Sequence, residues 1–127
     1  MAEKSILIVD DDESLVRALA IKLRDAGYKV LAAWDAAQGV SQSQRHVPDL
    51  ILLDIRMPEG GGFNVLDQLG HSMKTMDIPI IVVTALEDQE IREQAMAYGA
   101  VDFFRKPLDV ARLLQVIDKA LATDRPG

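Results

Sequence analysis

Residues 6–13 read Ile-Leu-Ile-Val-Asp-Asp-Asp-Glu, four apolar side chains running straight into four acids. A short apolar run without alternation fits a strand buried on both faces. The pattern recurs. Leu50-Ile-Leu-Leu53 ends at Asp54, and Ile80-Ile-Val-Val83, entered through Pro79, leaves at Thr84. Tyr28–Ala33 and Asp102–Arg105 complete a set of five strands. Helical patterns fill the gaps. Ser14–Ala26 carries Leu15, Leu19 and Leu23 on one stripe, and Gly27 follows where a helix C′ residue is expected. Ala36–Gln44 is weaker, with Asp35 as its N-cap. Phe63–Leu69 and Asp88–Tyr98 are short, the second ended by Gly99. The last helix starts after Asp109, and Val110, Leu113, Leu114, Ile117, Ala120 and Leu121 fall on one face. Five buried strands alternating with five helices predict an α/β fold, a parallel sheet covered on both sides.

Composition agrees. The chain has 127 residues, 49% hydrophobic and 27% charged, which suits a single globular domain and not a disordered segment. The apolar runs are too short for a membrane span, and the Met-Ala-Glu-Lys start has no signal-peptide core. There is no cysteine, so disulfides, cysteine zinc sites and thiol catalysis are excluded. The net charge of −6 disfavours nucleic acid and anionic lipid as direct partners. We expect a cytoplasmic protein forming one domain over residues 1–127, with a core from about 5 to 122 and a short tail, 123–127.

In parallel α/β sheets function collects at the carboxyl ends of the strands. Here those ends carry Asp10-Asp11-Asp12-Glu13, Asp54, Thr84 and Lys106-Pro107. Carboxylates gathered at one edge repel, and a hard divalent cation relieves them. Asp12 and Glu13 also suit the start of the first helix, where negative charge is favoured. Asp10 and Asp11 follow the strand directly, so at least one must face the buried edge. Asp54 could be a plain turn residue, and Thr84 and Lys106 say little singly. Together they are the parts of phosphoryl transfer: an oxygen nucleophile, a metal-binding acid cluster, a hydroxyl donor and an ammonium.

The chain resembles a bacterial response-regulator receiver domain from Ile6 to about Leu121. The residues carrying the resemblance are Ile6-Leu-Ile-Val-Asp-Asp11, Asp49-Leu-Ile-Leu-Leu-Asp-Ile-Arg-Met-Pro58, Val82-Val-Thr-Ala85, and Gly99-Ala with Phe103-Phe-Arg-Lys-Pro107. It implies a flavodoxin-like doubly wound sheet of five parallel strands in the order 2-1-3-4-5. It implies a regulatory domain rather than an enzyme, catalysing only its own phosphorylation and dephosphorylation. Asp54 would accept a phosphoryl group from the phosphohistidine of a sensor histidine kinase or phosphotransfer protein. Mg²⁺, or Mn²⁺ in its place, would be held by Asp11, Asp54 and the backbone carbonyl of Arg56, with Asp10 acting through a water. Thr84 and Lys106 would bond the phosphoryl oxygens, and Lys106–Pro107 is often cis in such domains. Thr84 and Phe103 would switch the surface of the fourth helix, fifth strand and fifth helix, where a second copy or an output partner would dock.

Arg56 and Leu86 occupy the positions that tune dephosphorylation in this family. Leu86 cannot orient an attacking water, so a long-lived phosphoryl state is expected. The triple glycine Gly60–Gly62 lacks the Gly-Lys-Ser/Thr context of a phosphate loop. Three readings compete. A haloacid-dehalogenase-like phosphohydrolase needs a second Asp where Arg56 stands. A nucleotide- or flavin-binding domain needs a glycine-rich or hydroxyl-rich first turn, where this chain places three aspartates. A pseudo-receiver acting only through protein contacts would normally have lost an acid or the lysine. Trp34 is expected in loop packing, His46 and His71 at the surface, and Met73 and Met76 in packing before Pro79.

Overall fold

The computed structural model of the chain describes residues 3–56, 61–85 and 89–122. The elements run β1 (Ser5–Val9), α1 (Glu13–Asp25), β2 (Lys29–Ala33), α2 (Ala36–His46), β3 (Leu50–Leu53), α3 (Gly61–Gly70), β4 (Ile80–Thr84), α4 (Gln89–Ala97), β5 (Asp102–Arg105) and α5 (Val110–Ala122). The strands form one parallel sheet in the order β2-β1-β3-β4-β5. The expected fold class holds, with element ends displaced by a residue or two as fraying helix termini allow.

The alternation of side chains along each strand feeds two separate cores. Leu7, Val9, Ile51, Leu53 and Val82 point to one face and pack with α2, α3 and α4 through Val40, Val65, Leu66, Leu69 and Ala95. Ile6, Ile8, Leu50, Leu52, Ile81 and Val83 point to the other and meet α1 and α5 through Val16, Leu19, Leu23, Leu113 and Ile117. Most of these side chains are almost fully buried, which explains why the three central strands read as unbroken apolar runs. The α1 stripe is rotated slightly from expectation: Val16, Leu19, Ala20 and Leu23 are buried, and Leu15 sits at its margin. Met73 and Met76 correct the sequence reading outright. They are 90% and 53% exposed, because the turn after α3 is anchored instead by the buried Thr75, whose hydroxyl donates to the Leu69 carbonyl at 2.8 Å.

Local chemistry ends the helices where expected. The Asp12 and Asp35 carboxylates accept the Leu15 and Gln38 amides as N-caps, and Asp109 accepts the Arg112 amide ahead of α5. Gly27 and Gly99 take positive φ after α1 and α4, angles that cost glycine nothing. Helix α2 ends differently, with Val47 in the left-handed region at φ 44° and ψ 66°. A β-branched residue there is strained. Val47→Gly is therefore expected to raise stability by about 0.5–1 kcal/mol after glycine's own entropy cost, seen as a higher urea midpoint. A lower midpoint would mean that Val47, which is 41% exposed, contributes more by packing than it loses by strain. At the other end of the sheet-helix sandwich, the Tyr28 hydroxyl donates to the Asp118 carboxylate, tying the start of β2 to α5. Burial, reinforced by that carboxylate, pushes the phenol well above its ordinary pKa of 10.0.

Candidate functional site

The strand order reverses direction once. After β1 the chain crosses to β2, then returns past β1 to build β3, β4 and β5 on the opposite side. The carboxyl ends of β1 and β3 therefore flank a crevice that no connection covers. Val9 pairs with Leu53, so the residues that follow, Asp10 and Asp54, leave the sheet side by side. Backbone hydrogen bonds extend the sheet into the site. The Asp54 amide donates to the Val9 carbonyl at 3.0 Å, the Asp10 amide to the Ala33 carbonyl at 3.1 Å, and the Lys106 amide to the Thr84 carbonyl at 2.8 Å. Each of these residues is thus fixed at its backbone by a neighbouring strand.

Their side chains form a closed arrangement. Asp10 and Asp54 are 2% and 5% exposed, while Asp11 is exposed at the mouth. One oxygen of Asp10 accepts the amide of Asp12 at 2.9 Å, and its other oxygen lies 2.9 Å from the Lys106 Nζ. Asp54 repeats the pattern: one oxygen accepts the Arg56 amide at 2.8 Å, and the other lies 3.2 Å from the same Nζ. Each buried carboxylate is therefore held by the backbone two residues on and by a shared ammonium. These amides escaped the sequence reading, although an Asp at a strand end bonding its own chain two residues later is a familiar turn habit. Oxygens of Asp10, Asp11 and Asp54 lie within 4.8 Å of one another.

Three carboxylates face one ammonium, an excess of two negative charges that a divalent cation would balance. The donor set is all oxygen, with one open, exposed member, and it fits Mg²⁺ or Mn²⁺. Burial raises the Asp10 pKa above its ordinary 3.8, with Asp54 adding to the effect and the Asp12 amide and Lys106 opposing it. For Lys106 burial acts downward, but the two aspartates outweigh it, and its pKa rises above 10.5. The signs differ in consequence. Ionised Asp10 costs the fold stability at neutral pH, and that cost fades as pH falls through its raised folded value toward 3.8. Lys106 contributes stability that is complete below 10.5 and is lost as pH climbs through its raised value. Asp10→Asn, measured with a chelator present, is thus expected to melt above the wild type at neutral pH, with the gap closing in acid. A variant that melts lower across the range would contradict this assignment.

The remaining predicted residues divide clearly. Thr84 is fully buried at the end of β4. Phe103 is half-buried, on the same face of the sheet as Thr84, because it pairs with Val82 and Thr84 lies two residues further along β4. The Lys106–Pro107 peptide is cis. Arg56 is exposed, and Leu86, with Met57 and Pro58, lies outside the described residues. Asp12 caps α1, and Glu13 pairs with Arg17 at 2.6 Å, so neither enters the site. His46 and His71 are exposed, as expected. Trp34 is 41% exposed and lines an open groove of about 1090 Å³ between α2 and α3 that reaches Asp11.

Known proteins share this architecture. The family model for the response regulator receiver domain matches residues 6–118. The chain is 38% identical over 121 residues to the DNA-binding dual master transcriptional regulator RpaA of Synechocystis, covering 94% of the chain and 50% of that protein. It is 36% identical to protein PilH of Pseudomonas aeruginosa, covering 92% of the chain and 97% of PilH. It spans only 23% of the response regulator PleD of Caulobacter vibrioides, at 41% identity. Among solved structures, chemotaxis protein CheY4 of Vibrio cholerae superimposes with a TM-score of 0.88 at 28% identity, over 94% of this chain and all of CheY4. No helix among the described residues is long and apolar enough to cross a membrane.

Proposed function

Since the chain belongs to the response-regulator receiver domain family, we propose that Asp54 is its phosphoacceptor. The observation carrying this is the paired geometry around Lys106, which aligns a buried carboxylate beside a metal-binding acid group and an ammonium. An Asp54 oxygen attacks the phosphorus of a phosphohistidine on a sensor kinase or phosphotransfer protein. The P–O bond forms as the P–N bond breaks, and the imidazole keeps the electron pair and takes a proton. Receiver domains bind Mg²⁺ at such an acidic pocket. Asp11, Asp54 and the Arg56 carbonyl would hold it, with Asp10 behind a water, and when bound it supplies charge neutralisation for the incoming phosphoryl oxygens. Lys106 leaves part of its contact with Asp54 to donate to one phosphoryl oxygen, and the Thr84 hydroxyl donates to another. As Thr84 moves, Phe103 turns toward the space it leaves, and the surface of α4, β5 and α5 changes. A second copy or an output partner reads that surface in the cytoplasm. Residues 5–122 make one receiver unit, and Leu86 would leave the phosphoryl state long-lived.

Incubation with Mg²⁺ and acetyl phosphate tests this directly. One phosphoryl group per chain, released by hydroxylamine and mapping to Asp54, is the expected result. An unlabelled wild type would overturn the proposal in favour of a pseudo-receiver.

A further inference from the structure

Two arginines bracket the edge strand β5. The Arg92 guanidinium carbon, on α4, lies 5.7 Å from the centroid of the Phe103 ring. The Arg112 guanidinium carbon, on α5, lies 5.5 Å from that of Phe104. The two rings are consecutive on a strand and so face opposite sides of the sheet. Their settings differ. Phe104 is 7% exposed and belongs to the α1–α5 core. Phe103 is only half-buried at the margin of the other core. Both rings and both arginines line a cavity of about 530 Å³ at the outer side of β5, but only Phe103 is loosely enough packed to turn. Thr84 is on the inner side, on β4. The ring's arginine contact comes from α4, and the hydroxyl from the neighbouring strand.

We propose that Arg92 is a positioning residue that holds the Phe103 ring outward and so weights the domain toward its resting packing. This rests on the phosphoacceptor reading above and adds a residue that the reading does not contain. A guanidinium over a ring is attracted by the negative face of the π system. For the ring to turn toward Thr84 it must leave that contact, so the resting state keeps an attraction that the switched state loses. Ile91 and Ala95 fasten α4 to the core on the neighbouring face, so Arg92, exposed on a docked helix, does not follow the ring inward. The strength of an exposed contact of this kind corresponds to about a 2- to 5-fold shift in the balance of states.

The test uses the full chain with ring-¹³C phenylalanine, of which there are three. Phe103→Leu assigns the Phe103 resonance. Beryllofluoride with saturating Mg²⁺ stands in for the phosphoryl group. In the wild type the Phe103 resonance is expected to move on beryllofluoride addition. Arg92→Met keeps the stem and removes the charge. It is expected to move the free-state resonance part of the way to the bound position and to tighten apparent beryllofluoride affinity about 2- to 5-fold. Arg92→Lys should fall between the two. A wild type that responds, with Arg92→Met and Arg92→Lys unchanged or weaker, would overturn the latch and leave the receiver reading intact. A wild type that does not respond would overturn the receiver reading beneath it.

Discussion

Asp54→Asn is expected to take up no phosphoryl group and no beryllofluoride, a complete loss against one group per chain in the wild type. An amide oxygen is a far weaker nucleophile than a carboxylate. The substitution should leave the fold in place. Asparagine presents an oxygen that can still accept the Arg56 amide, and Lys106 keeps Asp10 at 2.9 Å. Mg²⁺ affinity should fall as well, because one of the three carboxylates within 4.8 Å is neutralised. Mass spectrometry after acetyl phosphate treatment and a Mg²⁺ titration give both readouts. Labelling of the variant at wild-type stoichiometry would place the acceptor on Asp10 or Asp11.

Gly62→Ala is expected to be strongly damaging. A Cβ there would stand 2.0 Å from the Ile55 Cα and 2.5 Å from its carbonyl oxygen. These are backbone atoms, so no rotamer change relieves the overlap. Either the start of α3 or the chain after Asp54 must shift. We expect a loss of about 3 kcal/mol or more, read as a fall in Tm of roughly 10 °C. The site should suffer with the fold, since Ile55 lies between Asp54 and the Arg56 amide that orients it. Gly70→Ala is the control, because a Cβ there meets nothing within 4 Å. It should be neutral or slightly stabilising. Equal melting of the two variants would show that the α3 start yields without cost.

Much of this was legible in the chain because burial on both faces leaves a plain mark. Ile6–Val9, Leu50–Leu53 and Ile80–Val83 read as central strands for that reason, and they are. The strand order came from the resemblance, since periodicity does not say which strands are neighbours. The acids at the strand ends announced a site, but not which of Asp10 and Asp11 turns inward. That depends on how the chain bends after Val9, where strand alternation no longer applies. Lys106 bridging Asp10 and Asp54 joins three distant segments, the Tyr28–Asp118 bond joins two, and only the fold brings them together. The exposure of Met73 and Met76 was hidden because apolarity alone does not separate a packed methionine from one on a turn.

The cations around β5 have a colloidal consequence. The strand lies at the edge of the sheet, with one side of its backbone open to a neighbour. Arg92, Arg105 and Arg112 are all exposed beside it. Two copies brought together strand against strand would press these like charges into one another before any ladder could close. A protein of net charge −6 thus concentrates positive charge along one edge of its sheet, and that placement opposes strand-to-strand aggregation there.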